Sequence, residues 1–411
     1  SDDIFVQIVQ FYVNRCLVPK LSKNYDESID HSEFDLRNKS LNANFQLLLK
    51  SLSDITKNDL ENHPATIACI VNLYKELSCD TPWNKSHAKD ISKQLNTFFE
   101  DITNVNLDLV FRKNDVFEAQ VVFDKCLEDL HSKLTYDNFK MYPAQIEVYC
   151  CIIKELKEYN VHLMPSKIFP VTLLLIDDYI SCNKKKGLQC CFYLLQSLRT
   201  EHFENGNYYE VIYISLKKNL HEKDLDIIKL THCNLLELFK ILPDMGKVRF
   251  NKLDELYTSC LDQLSTESNL YKKAEIFNFT STIIQWHKDN CANRSIFKHI
   301  VCHNLDICTN DEVIRIILNP LLKCLEQWIV YCWPVWKYSS DHKMLSTLLK
   351  VLYVCDEEYL VQQTHKLIVT LICLCATNEQ KQIADNLERV HEIQCDTFKE
   401  KIRKIKADIK M

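Results

Sequence analysis

The chain has 411 residues, more than one compact core usually holds and enough for two or more domains or one extended array. Hydrophobic residues make up 46% and charged residues 26% of the chain, as in ordinary globular proteins, which argues against a mainly disordered chain. The formal net charge of −6 argues against a broad nucleic-acid-binding surface.

Glycine is scarce. The chain holds only Gly187, Gly206 and Gly246, whereas an average chain of this length would hold about 30. Because glycine supplies the positive φ angles of tight hairpins and the open backbone of phosphate loops, few β-hairpins and no glycine-rich nucleotide loop are expected. The sequence therefore predicts an all-α protein whose helices are joined by short polar turns.

The 20 cysteines lie mostly inside apolar helical runs, and we interpret them as small buried hydrophobic residues. The sequence shows no Cys-x-x-Cys pair, no basic region of a secretory signal at its N-terminus, and no window of about 18 uncharged apolar residues. We therefore expect reduced thiols, no membrane or nucleic-acid partner, and a location in the cytoplasm or the nucleus.

Apolar residues recur with a 3.6-residue period in stripes of about 14–20 residues, and polar breaks separate the stripes. Leu225, Ile228, Leu235 and Phe239, for example, share one face of a predicted helix. We count about 17 helices in pairs about 35–45 residues apart, a spacing typical of a HEAT/armadillo-like helical-repeat α-solenoid. Such repeats bury their core by stacking on neighbours and leave long faces open to other proteins.

Helix starts and loops are also indicated. Pro64 and Pro143 sit where a first-turn proline is tolerated. Loops are expected at residues 19–40, 80–86 and 200–207. Polar residues suited to N-cap positions are Asn58-Asp59, Asn114-Asp115, Asp137, Asn207, Asn310-Asp311 and Asp356.

Two adjacent carboxylates, Asp177 and Asp178, raise the question of an acid–base or metal site. Adjacent residues on a helix point about 100° apart, so they serve a paired-carboxylate site poorly. We interpret them as a helix terminus whose carboxylates cap the helix or pair with nearby lysines. Lys184, Lys185 and Lys186 lie close enough in sequence for that role.

The densest group of possible metal ligands is Cys291, Cys302, His303 and Cys308, but its spacing matches no zinc template. We interpret these residues as core residues or as an incidental grouping, because free cysteine is often buried, and predict no metal and no other cofactor. The Gly-x-Ser-x-Gly nucleophile elbow does not occur, so no catalytic residue is predicted. A metal-dependent enzyme that uses this cluster is an alternative hypothesis.

Aromatic residues crowd one later segment at Trp328, Tyr331, Trp333, Trp336 and Tyr338. Aromatic residues dominate both cores and interface hot spots, so core packing and partner contact are both open interpretations. Pro334 interrupts the run, which therefore cannot all face one core. We predict that Trp333 and Trp336 contact a partner protein.

The last predicted helix is amphipathic. Phe398, Ile402, Ile405 and Ile409 fall at i, i+4, i+7 and i+11, and basic residues between 399 and 410 occupy the other faces. We interpret this segment as a capping helix with a solvated basic face. Binding to an acidic partner or a membrane surface is the alternative.

A more specific pattern lies between residues 134 and 198. It reads Tyr142-Pro143-Ala144, Phe169-Pro170, Leu173-Leu174-Leu175, Asp177-Asp178-Tyr179, Asn183-Lys184 and Gly187. The pattern resembles the conserved block of the Tel-two-interacting protein two family, the smallest subunit of the TTT co-chaperone complex. Weaker matches are the helix at 225–242 and Trp333-Pro334 followed by a helix at 345–352, so the resemblance covers about residues 130–355.

The residues that carry this resemblance are assigned structural or partner-binding roles. They are Pro170, Leu174, Asp177, Asp178, Tyr179, Asn183, Lys184, Gly187, Trp333 and Pro334. We expect Gly187 to permit the close approach of a neighbouring helix and Pro170 to start or kink a helix. In this interpretation the block is a junction between repeats, and its carboxylates hold one helix hairpin against the next.

The resemblance implies a non-enzymatic α-solenoid that assembles with two larger helical-repeat subunits, the Tel-two and Tti-one proteins. It implies joint action with the heat-shock-ninety chaperone system on phosphatidylinositol-3-kinase-related kinases such as mTOR, ATM and ATR, whose maturation and level depend on the complex. We expect residues 1–130 to form divergent helical repeats and residues 131–411 to form the family-like solenoid. A generic helical-repeat adaptor for transport or cytoskeletal assembly is the alternative.

Overall fold

The computed structural model describes residues 2–26, 28, 32–242 and 246–409. Within these residues the regular structure is entirely helical and no β-strand occurs. The helices pack into two compact units, Ser1–Leu242 and Pro243–Met411. The all-α helical-repeat class predicted from the scarcity of glycine and the 3.6-residue period is therefore confirmed.

The first unit, over its described residues, forms eleven α-helices. They are α1 (Asp2–Cys16), α2 (Ser32–Ser53), α3 (Lys57–Asn62), α4 (Pro64–Ser78), α5 (Ser86–Thr103), α6 (Ala119–Lys133), α7 (Pro143–Lys154), α8 (Pro165–Ile176), α9 (Ser181–Ser197), α10 (Tyr208–Lys218) and α11 (Leu225–Ile241). Helix α4 packs against α1, α5, α6 and α7, and α9 packs against α7, α8 and α11. Each central helix thus buries its apolar stripe against neighbours on several sides.

The second unit, again over its described residues, forms nine α-helices. They are α12 (Gly246–Thr266), α13 (Leu270–His287), α14 (Ile296–Asp306), α15 (Asp311–Val313), α16 (Asn319–Lys337), α17 (Lys343–Val354), α18 (Glu358–Leu374), α19 (Thr377–Glu388) and α20 (Asp396–Asp408). Helix α13 packs against α12 and α16, and α18 packs against α16, α17 and α20. A π-helical stretch, Ile314–Leu318, joins α15 to α16.

Helix α11 shows how the sequence forms these elements. Asp224 is its N-cap, and the Oδ1 atom of Asp224 accepts a hydrogen bond from the backbone N of Asp226 at 2.8 Å. The predicted stripe is buried, with Leu235 0% and Phe239 1% exposed. The prediction of a helix over 225–242 is confirmed. The Asp224 cap sets where the helix begins, and the apolar stripe sets which side of the helix is buried.

Other predicted helix starts are partly right. Pro64 and Pro143 are the first residues of α4 and α7, as predicted. Asn310 caps α15, and its Oδ1 atom accepts from the backbone N of Val313 at 3.1 Å. The N-cap of α3 is Thr56 rather than Asn58-Asp59. The first expected loop is also shorter than predicted, because α2 already begins at Ser32.

Of the 20 cysteines, twelve are buried, six are partly exposed and two are exposed, and all are free thiols. The interpretation as small buried hydrophobic residues therefore holds for twelve of them. Within the described part of the chain, every helix is too short or too polar to cross a membrane. The predicted division at residue 131 rests on family likeness rather than on packing, and it stays a prediction.

Candidate protein-binding surfaces

The junction between α8 and α9 carries most of the family-like residues. Helix α8 ends at Ile176, and Asp177 occupies its C-cap position. The Oδ1 atom of Asp177 accepts a hydrogen bond from the Ser215 hydroxyl on α10 at 2.8 Å. Asp177 therefore closes one helix and attaches it to the next repeat, as the interpretation of a helix terminus predicted.

Asp178 lies in the interior of the same junction. Its side chain is fully buried and lies 2.9 Å from the Nζ atom of Lys140, in the turn that precedes α7. Its second oxygen accepts a hydrogen bond from the Asn183 amide at 2.8 Å. The carboxylate therefore binds the start of α9 to the start of α7, and its partners satisfy a charge that would otherwise be costly to bury.

The three lysines Lys184, Lys185 and Lys186 do not pair with Asp177 or Asp178, so that part of the interpretation is wrong. They point away from the junction towards neighbouring helices. Their partners are Asn219 and Glu222 for Lys184, Asp224 and Asp226 for Lys185, and Glu147 for Lys186. Burial lowers the pKa of Lys186, but the Glu147 carboxylate outweighs that effect and raises the pKa above its usual value. The lysines thus bind α9 to the helices on either side.

Gly187 has the close neighbour predicted for it. A Cβ atom placed there would lie 2.6 Å from the backbone N of Ile176 and 2.7 Å from the Cβ of Leu175. Pro170 lies inside α8, which begins at Pro165, so Pro170 does not start the helix, and a kink at Pro170 stays a prediction. Its side chain is exposed. Leu174 is half-buried on the same helix. The block is therefore a tightly packed repeat junction.

Tyr179 is the exposed member of the block. Its side chain is 78% exposed, and the Nζ atom of Lys140 lies 3.9 Å from its ring centroid. That distance is within the range of a cation–π interaction. The lysine that neutralises Asp178 therefore also holds an aromatic ring at the surface.

A surface groove begins beside this ring. It has a volume of about 400 Å³ and is lined by apolar and charged side chains. They include Tyr25, Trp83, Lys140, Pro143, Ile180 and Lys186. The groove could not be predicted from the sequence, because its walls come from segments more than 150 positions apart, between Tyr25 and Ile180. A groove with apolar walls and a few charged groups is a candidate binding site.

The aromatic run of the second unit is divided between core and surface. Trp328 and Trp336 are each 1% exposed. Trp328 stacks on Phe297 with ring centroids 5.2 Å apart, and the indole N–H of Trp336 donates to the Leu371 carbonyl at 2.8 Å. Trp336 therefore serves the core, and its ring is not offered to a partner at the surface.

Trp333 is the member of the predicted pair that reaches solvent. It is 40% exposed on α16, near Val330 and Tyr338, which are 56% and 80% exposed. The Nζ atom of Lys337 lies 5.6 Å from its ring centroid. Cys332 departs from helical geometry, with φ −117° and ψ 16°, where Pro334 cannot donate the backbone hydrogen bond of a regular helix. The predicted role of Trp333 in partner contact stays a prediction.

An apolar stripe that the sequence reasoning missed lies on α1. Ile4, Phe5, Ile8 and Phe11 are 38–63% exposed. The opposite side of the helix is buried through Val9 and other apolar residues. This stripe could have been predicted from the sequence, because apolar residues occur on both sides of α1. In stacked helical repeats such a stripe lies against another helix.

The group of Cys291, Cys302, His303 and Cys308 does not come together as a set of metal ligands in the described residues, and His303 is exposed. Cys291, Cys302 and Cys308 are buried core residues, as interpreted. In the described residues, the possible metal ligands that meet are instead His342, Cys375 and Glu379, whose ligand atoms lie within 4.8 Å of one another. Cys375 donates to the Leu371 carbonyl and Glu379 accepts from the backbone N of Ala376, so both already serve helix ends.

The last helix, α20, is amphipathic as predicted, and its role as a capping helix stays a prediction. Phe398, Ile402 and Ile405 are buried. The Nζ atom of Lys401 donates to the carbonyls of Leu352 and Cys355 at 2.9 and 2.7 Å, at the C-terminal end of α17. Lys410, part of the predicted basic face, lies outside the described residues.

Known proteins support the resemblance. No family model matches the chain. TELO2-interacting protein 2 from Homo sapiens is 20% identical over 165 residues, which cover 40% of this chain and 32% of that protein. The Mus musculus protein of the same name is 24% identical over 163 residues, which cover 39% and 31%. This chain is similar to TELO2-interacting protein 2. The match spans about a third of the length of these curated relatives.

Solved structures support the fold. A chain from a structure of Kap95p binding to RanGDP is 12% identical and has a TM-score of 0.53. The match covers 99% of this chain and 50% of that chain. At this identity the similarity shows a shared helical-repeat fold and no shared function.

Proposed function

We propose that the chain is a non-enzymatic scaffold subunit of a TTT-type co-chaperone complex. It binds two larger helical-repeat proteins of the Tel-two and Tti-one type. With the heat-shock-ninety chaperone system, the complex supports the maturation and stability of phosphatidylinositol-3-kinase-related kinases of the mTOR, ATM and ATR class. The observation that carries the proposal is the similarity to TELO2-interacting protein 2, a protein named for its interaction with TELO2.

The contacts of the family-like block support a scaffold rather than an active site. Asp177 binds Ser215, and Asp178 is held by Lys140 and Asn183. Each carboxylate is thus occupied in joining helices, which leaves none poised for acid–base chemistry. The same contacts hold the helices beside the groove in one arrangement, and a preorganised surface binds a partner with less loss of entropy.

Two exposed aromatic rings offer contact points for the partners. Tyr179 is held over Lys140 beside the groove of the first unit, and Trp333 projects from α16 of the second unit. Exposed tyrosine and tryptophan are enriched at the centres of protein interfaces. We assign both rings to partner binding and place the chain in the cytoplasm or the nucleus, where its clients would be made or act.

Acute depletion in the source cell tests this function. The protein levels of the related kinases should fall while their messenger RNA levels stay constant, because the complex acts after translation. Re-expression of the wild-type chain should restore the kinases. Kinase levels that stay normal for several protein half-lives after depletion would contradict the proposal.

A further inference from the structure

Two pairs of cysteine thiols lie in contact within the first unit. The Sγ atoms of Cys79 and Cys151 are 3.1 Å apart, and those of Cys150 and Cys190 are 3.6 Å apart. Cys79 follows the last residue of α4, Cys150 and Cys151 lie on α7, and Cys190 lies on α9. Because α7 packs against both α4 and α9, the two pairs join three neighbouring helices.

The closer pair is also the more accessible one. Cys79 and Cys151 are both partly exposed, whereas Cys190 of the other pair is buried. Cys151 lines a surface cavity of about 550 Å³, together with Cys150 and the basic side chain of Lys154. A small polar oxidant can therefore reach the Cys151 sulfur without unfolding of the unit.

The contact between the two thiols makes them chemically unequal. The hydrogen bond from Cys79 lowers the pKa of Cys151, against the opposing effect of burial. The same bond, together with burial, raises the pKa of Cys79. In the second pair, the hydrogen bond with Cys190 and burial raise the pKa of Cys150. Because the thiolate is the nucleophile, Cys151 is the expected site of first attack on an oxidant.

We propose that Cys79 and Cys151 form a peroxide-sensitive dithiol that closes to a disulfide and links α4 covalently to α7. First, the Cys151 thiolate attacks one oxygen of hydrogen peroxide and breaks the O–O bond. Cys151 becomes a sulfenic acid, and the released hydroxide takes up a proton to form water. Cys79 then loses its proton, and its sulfur attacks the Cys151 sulfur and displaces hydroxide, which leaves as water. Two thiols are oxidised to one disulfide, and one peroxide is reduced to two waters.

The position of the disulfide connects it to the groove. Cys79 begins the connection between α4 and α5, which contains Trp83, and Cys151 lies on α7, which begins at Pro143. Trp83 and Pro143 both line the groove. A bond from Cys79 to Cys151 would therefore fasten two walls of the groove to each other. It would also close a loop between residues 72 positions apart, which constrains the unfolded chain and stabilises the first unit. Transient redox-sensing disulfides of this kind occur in otherwise reducing compartments.

Peptide mapping of the full purified chain tests the assignment. The chain is treated with increasing equivalents of hydrogen peroxide, its free thiols are alkylated, and it is digested with trypsin without reduction. Trypsin releases Cys79 in peptide 76–85, Cys150 and Cys151 together in 141–154, and Cys190 and Cys191 together in 187–199. We expect peptides 76–85 and 141–154 to become linked first. The linked species should have the mass of the two reduced peptides minus two hydrogen atoms plus one alkyl group, because the second thiol of 141–154 stays free and is alkylated. Fragmentation between residues 150 and 151 should place that alkyl group on Cys150. The link between the peptides should disappear when the digest is reduced. In the intact protein, the disulfide should raise the melting temperature of the first unit.

Three results would overturn the proposal. They are a first link between 141–154 and 187–199, oxidation of Cys151 to sulfinic acid without any link, and no reaction at a peroxide level that oxidises the exposed Cys373. The wild-type digest needs no variant, so once fragmentation has located the alkyl group on Cys150 it decides the pairing even if a substitution impairs folding.

Variants then test the order of attack. Cys79→Ser should remove the link and leave Cys151 as a sulfenic acid that a dimedone probe captures. Cys373→Ser is the matched control and should leave the link unchanged, because Cys373 is an exposed thiol in the other unit. Dimedone labelling of Cys79 in a Cys151→Ser variant as strong as that of Cys151 in Cys79→Ser would contradict Cys151 as the attacking thiol.

Discussion

The fully buried carboxylate of Asp178 lies 2.9 Å from the Nζ atom of Lys140, and the same Nζ atom lies 3.9 Å from the ring centroid of exposed Tyr179. One cation therefore neutralises an interior acid and positions an aromatic ring at the surface. Because a buried charge without its partner is costly, the stability of the repeat junction and the placement of Tyr179 depend on the same residue.

Loss of that cation should destabilise the first unit. Lys140→Met leaves the Asp178 carboxylate with only the Asn183 amide, so we expect a loss of about 2–4 kcal/mol in the free energy of unfolding. The double variant Lys140→Met/Asp178→Asn should recover part of it, since the buried charge is then absent. Urea unfolding followed by circular dichroism measures both. Lys125→Met, at an exposed ion pair with Glu128, is the control and should change stability by less than about 0.5 kcal/mol. A double variant no more stable than Lys140→Met would contradict the account.

The close contact at Gly187 predicts a steric effect. In Gly187→Ala the new methyl group meets the backbone N of Ile176 at 2.6 Å, so α8 and α9 must move apart. We expect a loss of about 1–3 kcal/mol in unfolding free energy, although alanine favours helix more than glycine does. Gln189→Ala, at an exposed position of α9, is the matched control. A Gly187→Ala protein as stable as wild type would show that the two helices are less tightly packed than described.

Asp224 predicts a pH-dependent contribution to stability. The hydrogen bond from Lys185 lowers the pKa of Asp224, and the backbone N–H groups at the start of α11 lower it further. The folded chain then binds fewer protons than the unfolded chain as the pH falls below the ordinary pKa of 3.8, so this stabilisation is present above that pH and lost as the pH drops through the folded pKa.

Asp224→Asn keeps the capping oxygen but removes the charge. The free energy of unfolding of the wild type should exceed that of the variant by about 0.5–1 kcal/mol at neutral pH, and this difference should shrink in acid. Chemical denaturation at matched pH values measures the difference. A gap that stays constant from neutral pH to about pH 3, well below the ordinary Asp pKa, would contradict the role of the Lys185 contact.

Trp336 and Trp333 should respond differently to truncation. Trp336→Ala removes a buried indole and its hydrogen bond to the Leu371 carbonyl, and we expect it to cost about 3–5 kcal/mol. Trp333→Ala removes a ring that is 40% exposed, so its effect on stability should be below about 1 kcal/mol. Thermal unfolding of both variants makes the comparison. Equal destabilisation would mean that Trp333 is also a core residue.

Trp333→Ala should nevertheless weaken partner binding. We expect recovery of the partner subunits with a tagged Trp333→Ala chain to fall at least about tenfold, as for a hot-spot residue. Tyr271→Ala, which removes an aromatic ring that is 60% exposed on α13 of the same unit, should bind normally. Full recovery with a folded Trp333→Ala protein would remove Trp333 from the interface.

The sequence predicted well what depends on neighbours along the chain. The periodic stripe predicted α11, Pro64 and Pro143 predicted the starts of α4 and α7, and Gly187 inside an apolar run indicated a close helix contact. These features follow from local backbone chemistry, so they are readable without a structure.

The sequence did not predict which residues would pair across repeats. Lys184 binds Glu222 and Lys185 binds Asp226, which lie 38 and 41 positions further along the chain. That separation is about one repeat, and spacing within one helix gives no information on it. The division of Trp333 and Trp336 between surface and core shows the same limit. The Leu371 carbonyl that accepts the indole hydrogen bond of Trp336 lies on another helix, 35 positions further along the chain.

Co-purification with quantitative mass spectrometry tests the central claim most directly. A tagged wild-type chain, expressed at its natural level in the source cell, should recover two larger helical-repeat proteins of the Tel-two and Tti-one type in near-equal amounts. Recovery of transport cargo or tubulin-like partners instead, or of no protein in comparable amount, would contradict a scaffold subunit of a TTT-type complex.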